Sequence, residues 1–209
     1  MYHTNFVHLH VHSHYSILDG AAPIKSILDL ARRFRMPSIA LTDHGNMFGI
    51  IEFYQGALKR GIKPILGFEA YLAPKGRHER TGHRNNPNYH LILLATDLKG
   101  YKNLVKLSTL GYTQGFYYRP RIDWELLEAH HEGLIALSSC LHGEIPWKLM
   151  KGEDEEAIKA SRRYQDLFGK DRFYLEIQNH GLSEEIADCR TSKACQPCSN
   201  QRNLSCCDQ

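Results

Sequence analysis

Histidine recurs at every second position near the start of the chain, and this spacing constrains the fold more than any other feature of the sequence. Residues 6–20 read FVHLHVHSHYSILDG, with Leu9 and Val11 between the first three histidines. A β-strand directs alternate side chains to one face, so His10 and His12 are expected to lie side by side. Paired imidazoles suit one Zn, Fe, Cu, Ni or Mn ion. Asp19 and Gly20 then form a turn that returns the Asp19 carboxylate towards the strand end.

Strands and helices alternate through the rest of the chain. Short apolar runs predict buried strands at residues 38–41, 63–72, 89–95, 134–139 and 173–177. Apolar residues at helical spacing lie between these runs and predict amphipathic helices. This alternation is typical of a parallel sheet, and polar residues gathered at strand ends favour a barrel with its site on one face. A chain of 209 residues can bury one good core, so we expect a single α/β domain.

Four further candidate ligands fall on separate predicted strand regions: His44, Glu69, His90 and Cys140. Taken singly, such a histidine is more often a core residue and such a cysteine a small buried hydrophobe. Likewise, the first segment alone is also compatible with a solvated histidine-rich strand or an expression tag. Glu69, however, lies inside an apolar run, where bound metal would remove the cost of burying its charge, and it could bridge two ions. Clustered ions lower the pKa of a bound water, and they stabilise the attacking and leaving oxygens when a phosphate ester is cleaved. The cluster therefore predicts phosphoester hydrolysis.

Charge and hydropathy exclude several classes of function. The net charge of +3 is too small to indicate nucleic-acid binding by electrostatics alone. The N-terminus lacks the basic and apolar regions of a signal peptide, and no apolar run approaches the length of a membrane helix. We therefore expect a cytoplasmic protein with no membrane partner. Residues 115–121 (GFYYRPR) interleave aromatic residues with arginines, and they could stack on bases, clamp phosphate or cover one end of a barrel.

The PHP domain, the polymerase and histidinol phosphatase domain, resembles this chain in seven successive blocks: HLHVHSHYSILDG, ALTDHGNMFG, KPILGFEAY, YHLILLA, GFYYRPRID, GLIALSSCLHGEIP and FYLEIQNHG. The resemblance covers about residues 6–183. More specifically, the blocks resemble the N-terminal PHP domain of bacterial DNA polymerase III alpha subunits. It implies a distorted (β/α)7 barrel that holds up to three Zn, Mn or Fe ions. By position, the implied metal ligands are His10, His12, Asp19, His44, Glu69, His90 and Cys140.

The resemblance implies a function and leaves two alternatives open. A DNA polymerase III alpha subunit is a nucleotidyltransferase of DNA replication, with DNA and other replicase subunits as partners. Family members that keep the full ligand set have metal-dependent 3′-5′ exonuclease or phosphoesterase activity. The alternatives are a free-standing phosphoesterase of the histidinol phosphatase type and a non-catalytic, metal-stabilised platform. The blocks GFYYRPRID and TDHGNMFG favour the polymerase subfamily.

The resemblance ends near residue 183. The family pattern continues with a helix and an Asn-Asp-x-His-Tyr block, whose Asp and His complete the metal site. Residues 186–209 instead lack apolar periodicity and are rich in cysteine. Cys195 and Cys198 have the spacing of half a zinc knuckle, but the adjacent cysteines that follow fit such a site poorly. We therefore interpret residues 1–185 as an incomplete PHP domain with impaired hydrolysis, and the rest as a disordered tail of a truncated or frameshifted reading frame.

Overall fold

Helices and strands alternate along much of the chain, as the apolar pattern predicts, although consecutive strands and consecutive helices also occur among the described elements. The computed structural model describes residues 3–17, 19–80, 88–179 and 206–208. The helices of this part of the chain are Ile24–Arg33 (α1), Ile50–Lys59 (α2), Leu98–Thr113 (α3), Trp124–His130 (α4), Glu144–Met150 (α5) and Asp154–Phe168 (α6). The strands are Ser38–Leu41 (β1), Lys63–Leu72 (β2), Tyr89–Ala95 (β3), Arg121–Ile122 (β4), Leu134–Leu137 (β5), Phe173–Tyr174 (β6), Ile177–Asn179 (β7) and Cys206–Asp208 (β8).

The first three strands have the predicted bounds, whereas the later ones are shorter than predicted. The strand expected at 173–177 is interrupted between β6 and β7 because the Glu176 N–H donates to the Ser138 hydroxyl, at 2.9 Å, instead of to a backbone carbonyl. The strand expected at 134–139 ends at Leu137, and Ser139 beyond it has a left-handed backbone with φ of 65°. A hydrogen bond to a side chain thus interrupts one predicted strand, and a left-handed residue lies just beyond the end of the other.

One mixed sheet joins most of the strands, in the order β1-β2-β3-β5-β6, with β4 also paired to β2. The pairs β1/β2, β2/β4 and β5/β6 are parallel, but β2/β3 and β3/β5 are antiparallel. The expectation of a parallel sheet is therefore wrong for two pairs. No helix is described between β2 and β3, and a parallel return needs a long crossover, usually a helix. The predicted α/β class itself is confirmed.

The histidine-rich segment does not form the predicted strand, and the backbone bends at Leu9 and His10. It runs beside β1, where the Ala40 N–H donates to the His8 carbonyl at 2.9 Å. The Thr42 N–H likewise donates to the Val11 carbonyl at 2.8 Å. The Val11 N–H, however, donates to the Thr42 hydroxyl, at 2.8 Å, and not to a backbone carbonyl. A side chain thus takes the place of a ladder bond, although the segment still lies against β1.

Alternation along β3 separates a helix-facing side of the sheet from an interior side. Leu93 packs in the largest hydrophobic cluster, against the helices, whereas Ile92 packs in a small cluster with residues of β1 and β5. Glu69 on β2 lies directly opposite Ile92, so it shares the interior face. His90 precedes Ile92 by two residues and faces the same way. The fold therefore places a carboxylate and an imidazole above an apolar interior.

The predicted domain boundary after residue 185 lies outside the described residues, and so does most of the cysteine-rich tail. That boundary and the disordered tail stay predictions. Of the tail, the structure describes β8, whose backbone runs parallel to β7. Among the described helices, none is both long enough and apolar enough to cross a membrane.

We expect Asp123→Ala to lower the free energy of unfolding by about 3 kcal/mol. The buried Asp123 carboxylate accepts from the Arg77 guanidinium at 3.0 Å and from the Arg77 backbone N–H at 2.9 Å. It also caps the N-terminus of α4, where it accepts from the Leu126 N–H at 3.2 Å. Its loss leaves a buried guanidinium with fewer partners. Urea unfolding of the purified chain measures the change.

Glu125→Ala is the matched control, because Glu125 contacts the same guanidinium at 2.9 Å with a side chain that is 77% exposed. An exposed ion pair contributes less than about 1 kcal/mol. Equal losses in the two variants would show that burial of Asp123 does not matter.

Candidate metal centre

All seven predicted ligands come together at one end of the sheet. Because β1 and β5 both run parallel to β2 while β3 runs antiparallel to it, the ends of β1 and β5 meet the start of β3 at this end. The first segment reaches the same place through its contacts with the end of β1. Contacts of 3.9 Å or less connect the whole set: His10, His12, Asp19, His44, Glu69, His90 and Cys140.

Glu69 is the centre of the cluster, and its side chain is 0% exposed. Its Oε1 lies 3.0 Å from His90 Nδ1 and 3.6 Å from His10 Nε2. Its Oε2 lies 2.7 Å from His44 Nδ1 and 3.4 Å from His12 Nε2. Two groups with ligand spacing result, His10–His12–Glu69 and His44–Glu69–His90, and both use this carboxylate. One carboxylate shared by two pairs of imidazoles is suited to bridge two cations.

Two polar atoms at the centre of the cluster lie close together without a hydrogen bond, which fits a cation. His44 Nδ1 and Glu69 Oε2 are buried and 2.7 Å apart, yet neither makes a hydrogen bond. Orphaned buried polar atoms cost about 1–3 kcal/mol each, so a ligand for them is favoured. His10 Nε2 and His12 Nε2 face each other at 3.0 Å. Two nitrogens on one tetrahedral zinc ion would be about 3.3 Å apart. The residues therefore fit a metal of the kind that imidazole prefers.

Electrostatics keep Glu69 charged and His12 neutral. Burial by itself would raise the pKa of Glu69, but the close imidazoles of His10, His44 and His90 hold it well below its usual value. Burial lowers the pKa of His12 to about 4, so at neutral pH its ring is in the form that binds metals. Burial also acts against protonation of His10, yet hydrogen bonds to Glu176 and Glu69 raise its pKa well above the usual value. Metal binding at His10 therefore releases a proton.

Asp19 and Cys140 each contact one imidazole of the His44–Glu69–His90 group. Asp19 Oδ2 lies 3.2 Å from His44 Nε2, and the Asp19 side chain is 57% exposed. Cys140, a free thiol, places its Sγ 3.9 Å from His90 Nδ1. Burial acts to lower the pKa of His90, but its contacts with Cys140 and Glu69 raise it overall. Thiolate and imidazole donors together favour zinc or iron over magnesium.

A buried aspartate that the sequence reasoning missed fixes the two segments that carry the histidines. Asp43 accepts from the Ser13 N–H at 2.7 Å and from the Ser13 hydroxyl at 2.8 Å. It also accepts from the Ser16 hydroxyl at 2.6 Å, and that oxygen accepts from the His44 N–H at 3.0 Å. The turn after His12 is thus bonded to the end of β1. A carboxylate directly after a buried strand was the signal in the sequence.

Three more polar residues of the site were also missed. The Ser139 hydroxyl donates to Glu69 Oε1 at 2.5 Å, and His142 Nδ1 lies 3.8 Å from Cys140 Sγ. Glu176 Oε1 lies 2.7 Å from His10 Nδ1. Glu176 could have been found from sequence, because it interrupts an apolar strand as Glu69 does. Ser139 and His142 sit among loop residues, where nothing in the pattern marks them.

The two arginines of the 115–121 segment have different surroundings. Arg121 is buried, and its guanidinium donates to the backbone carbonyls of Gly115, Arg77 and Glu79 at 2.8–3.0 Å. Arg119 is exposed and lies 4.8 Å from the centre of the Tyr71 ring, whose hydroxyl accepts from it. That ring in turn contacts the imidazoles of the His44–Glu69–His90 group. Arg121 thus holds the segment in place, and Arg119 is a cation at the rim of the cluster.

The family model of the PHP domain matches residues 8–180. The DNA polymerase III alpha subunit of Treponema pallidum (strain Nichols) is 49% identical over 182 residues, which are 87% of this chain and 16% of that protein. The alpha subunit of Deinococcus radiodurans is 46% identical over 188 residues, 86% of this chain and 14% of that protein. The chain therefore spans a small part of the length of these relatives.

Among solved structures, a metal-dependent phosphoesterase of Bifidobacterium adolescentis, described as putative, is 16% identical and gives a TM-score of 0.37. That similarity covers 52% of this chain and 34% of the other. It is too low to decide the fold or the chemistry.

We expect Glu69→Gln to weaken zinc or manganese binding more than 100-fold and to lower the number of ions bound at saturation. The substitution keeps the volume but removes the charge that both groups share. Loss of a carboxylate that only supports a ligand already costs about 10–100-fold in affinity, so a shared ligand should cost more. Equilibrium dialysis with metal analysis measures both quantities. The control is Glu52→Gln, at an exposed glutamate on α2, which should bind metal as the unaltered chain does. If Glu69→Gln bound metal as tightly as the unaltered chain, Glu69 would be excluded as a ligand.

Proposed function

This chain belongs to the PHP domain family, and from this premise we propose that its histidine–carboxylate cluster hydrolyses phosphate esters with bound divalent metal ions. The observation that supports this most is the buried Glu69 carboxylate, shared by two pairs of imidazoles. A carboxylate with only a structural role would be expected to have its oxygens hydrogen-bonded, yet Glu69 Oε2 has no such partner.

The residues divide into two binding groups and two flanking ligands. His10 and His12 would hold one ion with Glu69, and His44 and His90 would hold a second. Asp19 and Cys140 would complete these sites or contribute to a third. Divalent ions bound here would supply Lewis acidity and a water molecule of lowered pKa. We propose Zn, Mn or Fe, because nitrogen and sulfur donors outnumber oxygens in the cluster.

The chain's own residues orient these groups and neutralise the substrate. Asp43 and its two serine partners hold the turn after His12 against the end of β1. The Ser139 hydroxyl fixes one oxygen of Glu69. Arg119, at the rim, is placed to neutralise a phosphate group that approaches the cluster, since its guanidinium is exposed next to Tyr71. An arginine can bind two phosphate oxygens at once.

We propose that the substrate is the phosphodiester at a DNA 3′ end, and the activity a 3′-5′ exonuclease that is impaired in this chain, since residues 184–209 do not contain the Asn-Asp-x-His-Tyr block. This proposal draws on the similarity to DNA polymerase III alpha subunits, in a chain that spans 16% or less of the length of the relatives described above. Nucleotidyl transfer, DNA and replicase subunits as partners, and a cytoplasmic location are proposed for the longer protein of which such a domain is part.

The test is hydrolysis by the metal-free chain before and after addition of Zn, Mn or Fe. We expect release of nucleotides from the 3′ end of single-stranded DNA when metal is added, and loss of that release with a chelator. His12→Ala should reduce the rate at least about 100-fold, because a direct ligand is removed. His78→Ala, at an exposed histidine of the loop after β2, should leave the rate unchanged.

Other outcomes favour the alternatives. Hydrolysis of histidinol phosphate or p-nitrophenyl phosphate without action on DNA would indicate a free-standing phosphoesterase. No hydrolysis of either substrate by the metal-loaded chain, together with a lower melting temperature of Glu69→Ala, would indicate a metal-stabilised platform and contradict the proposed activity.

A further inference from the structure

A second buried carboxylate, Glu176, lies on the side of the His10 ring that faces away from the cluster. Its Oε1 is 2.7 Å from His10 Nδ1, while His10 Nε2 lies 3.0 Å from His12 Nε2. The side chains of His10 and Glu176 are 6% and 1% exposed. The imidazole is therefore held between a carboxylate on one side and the candidate metal ligands on the other.

Hydrogen bonds to both the backbone and the side chain of Glu176 hold this carboxylate in place. Glu176 lies in the break between β6 and β7, where its N–H donates to the Ser138 hydroxyl at 2.9 Å. The Gln178 amide donates to Glu176 Oε1 at 2.7 Å. Across the described residues, His10 is the one basic side chain within ion-pair distance of Glu176. No lysine or arginine of that part of the chain neutralises it, so its electrostatic partner is the imidazole.

This contact decides which nitrogen of His10 carries the proton in the neutral ring. An ionised carboxylate only accepts hydrogen bonds, so Nδ1 must donate, and Nε2 then presents its lone pair towards His12 and Glu69. The Gln178 amide nitrogen is also near Nδ1, but at 3.2 Å, farther than the carboxylate. The 2.7 Å contact between Nδ1 and the carboxylate oxygen needs a proton between the two atoms, and only Nδ1 can supply it. A protonated Nδ1 cannot accept, so the Gln178 amide is left with Glu176 as its acceptor.

We propose that Glu176 is a positioning residue for metal binding, which holds His10 with Nδ1 protonated and Nε2 directed at the ion. The inference rests on the proposed function, because it takes the cluster to be a metal site. Carboxylates that support a ligating histidine in this way contribute about 10–100-fold to metal affinity. Glu176 would act through His10 and is not one of the seven candidate ligands.

Glu144 provides a matched control within the same chain. It is also a buried glutamate, but its partners are the Arg163 guanidinium, at 2.9 Å, and the Tyr164 hydroxyl, at 3.0 Å. No candidate ligand is among these partners. Substitution at Glu144 therefore reports the general effect of losing a buried carboxylate.

The experiment measures Zn²⁺ affinity by competition with a chromophoric chelator, and the melting temperature of each metal-free chain. Glu176→Ala should lower the affinity about 10–100-fold. Glu176→Gln should lower it less, because an amide oxygen still accepts from Nδ1 but carries no charge. Glu144→Gln should lower the melting temperature without changing the affinity.

Nuclear magnetic resonance at saturating Zn²⁺ separates positioning from general stability. We expect His10 of the unaltered chain to show a downfield, slowly exchanging Nδ1 proton. The signal should persist in Glu144→Gln, move upfield in Glu176→Gln and disappear in Glu176→Ala.

The possible failures are distinguishable. Equal Zn²⁺ affinity in Glu176→Ala and the unaltered chain would overturn this inference alone. Absence of Zn²⁺ binding by the unaltered chain would overturn both the inference and the proposed metal centre. A chain that binds Zn²⁺, loses affinity in Glu176→Ala and hydrolyses nothing would support the inference while contradicting the proposed catalysis.

Discussion

The buried charge of Glu69 is the constraint on which the rest of the structure depends. Burying a carboxylate away from water costs several kcal/mol of free energy unless polar or charged partners offset the hydration that it loses. Here the partners are imidazoles from the first segment, the end of β1 and the start of β3. Elements distant in sequence are thus brought to one point by a single charge. The same charge is what makes the site attractive to cations, so stability and metal binding share one cause.

The sequence predicts much of this architecture because buried strands need apolar side chains, and a polar residue inside such a run marks a site that needs a partner. The bounds of β1, β2 and β3 agree with the pattern, and the seven candidate ligands meet because strand ends gather at one end of a sheet. Strand direction was mispredicted for β3, since alternation with period two is the same in parallel and antiparallel strands. The first segment was mispredicted as a strand because a hydroxyl, at Thr42, replaces a backbone partner. Nothing in a linear pattern shows that exchange.

The residues that sequence reasoning missed are those that hold the ligands in place. Asp43, Ser139 and Glu176 each bond to a candidate ligand or to the turn that carries one. Such groups have no characteristic spacing, because their positions depend on how distant segments meet. They matter for function because a metal site needs its ligands fixed before the ion arrives. The family match extends to residue 180 and so includes Glu176.

The central claim is that Glu69 links two metal sites, and anomalous X-ray diffraction from crystals of the manganese- or zinc-loaded chain tests it most directly. We predict two anomalous peaks on either side of the Glu69 carboxylate, one within ligand distance of His10 and His12 and the other within ligand distance of His44 and His90. Peaks that lie only elsewhere on the protein, or a Glu69 carboxylate that touches no ion in crystals soaked to saturation, would contradict it.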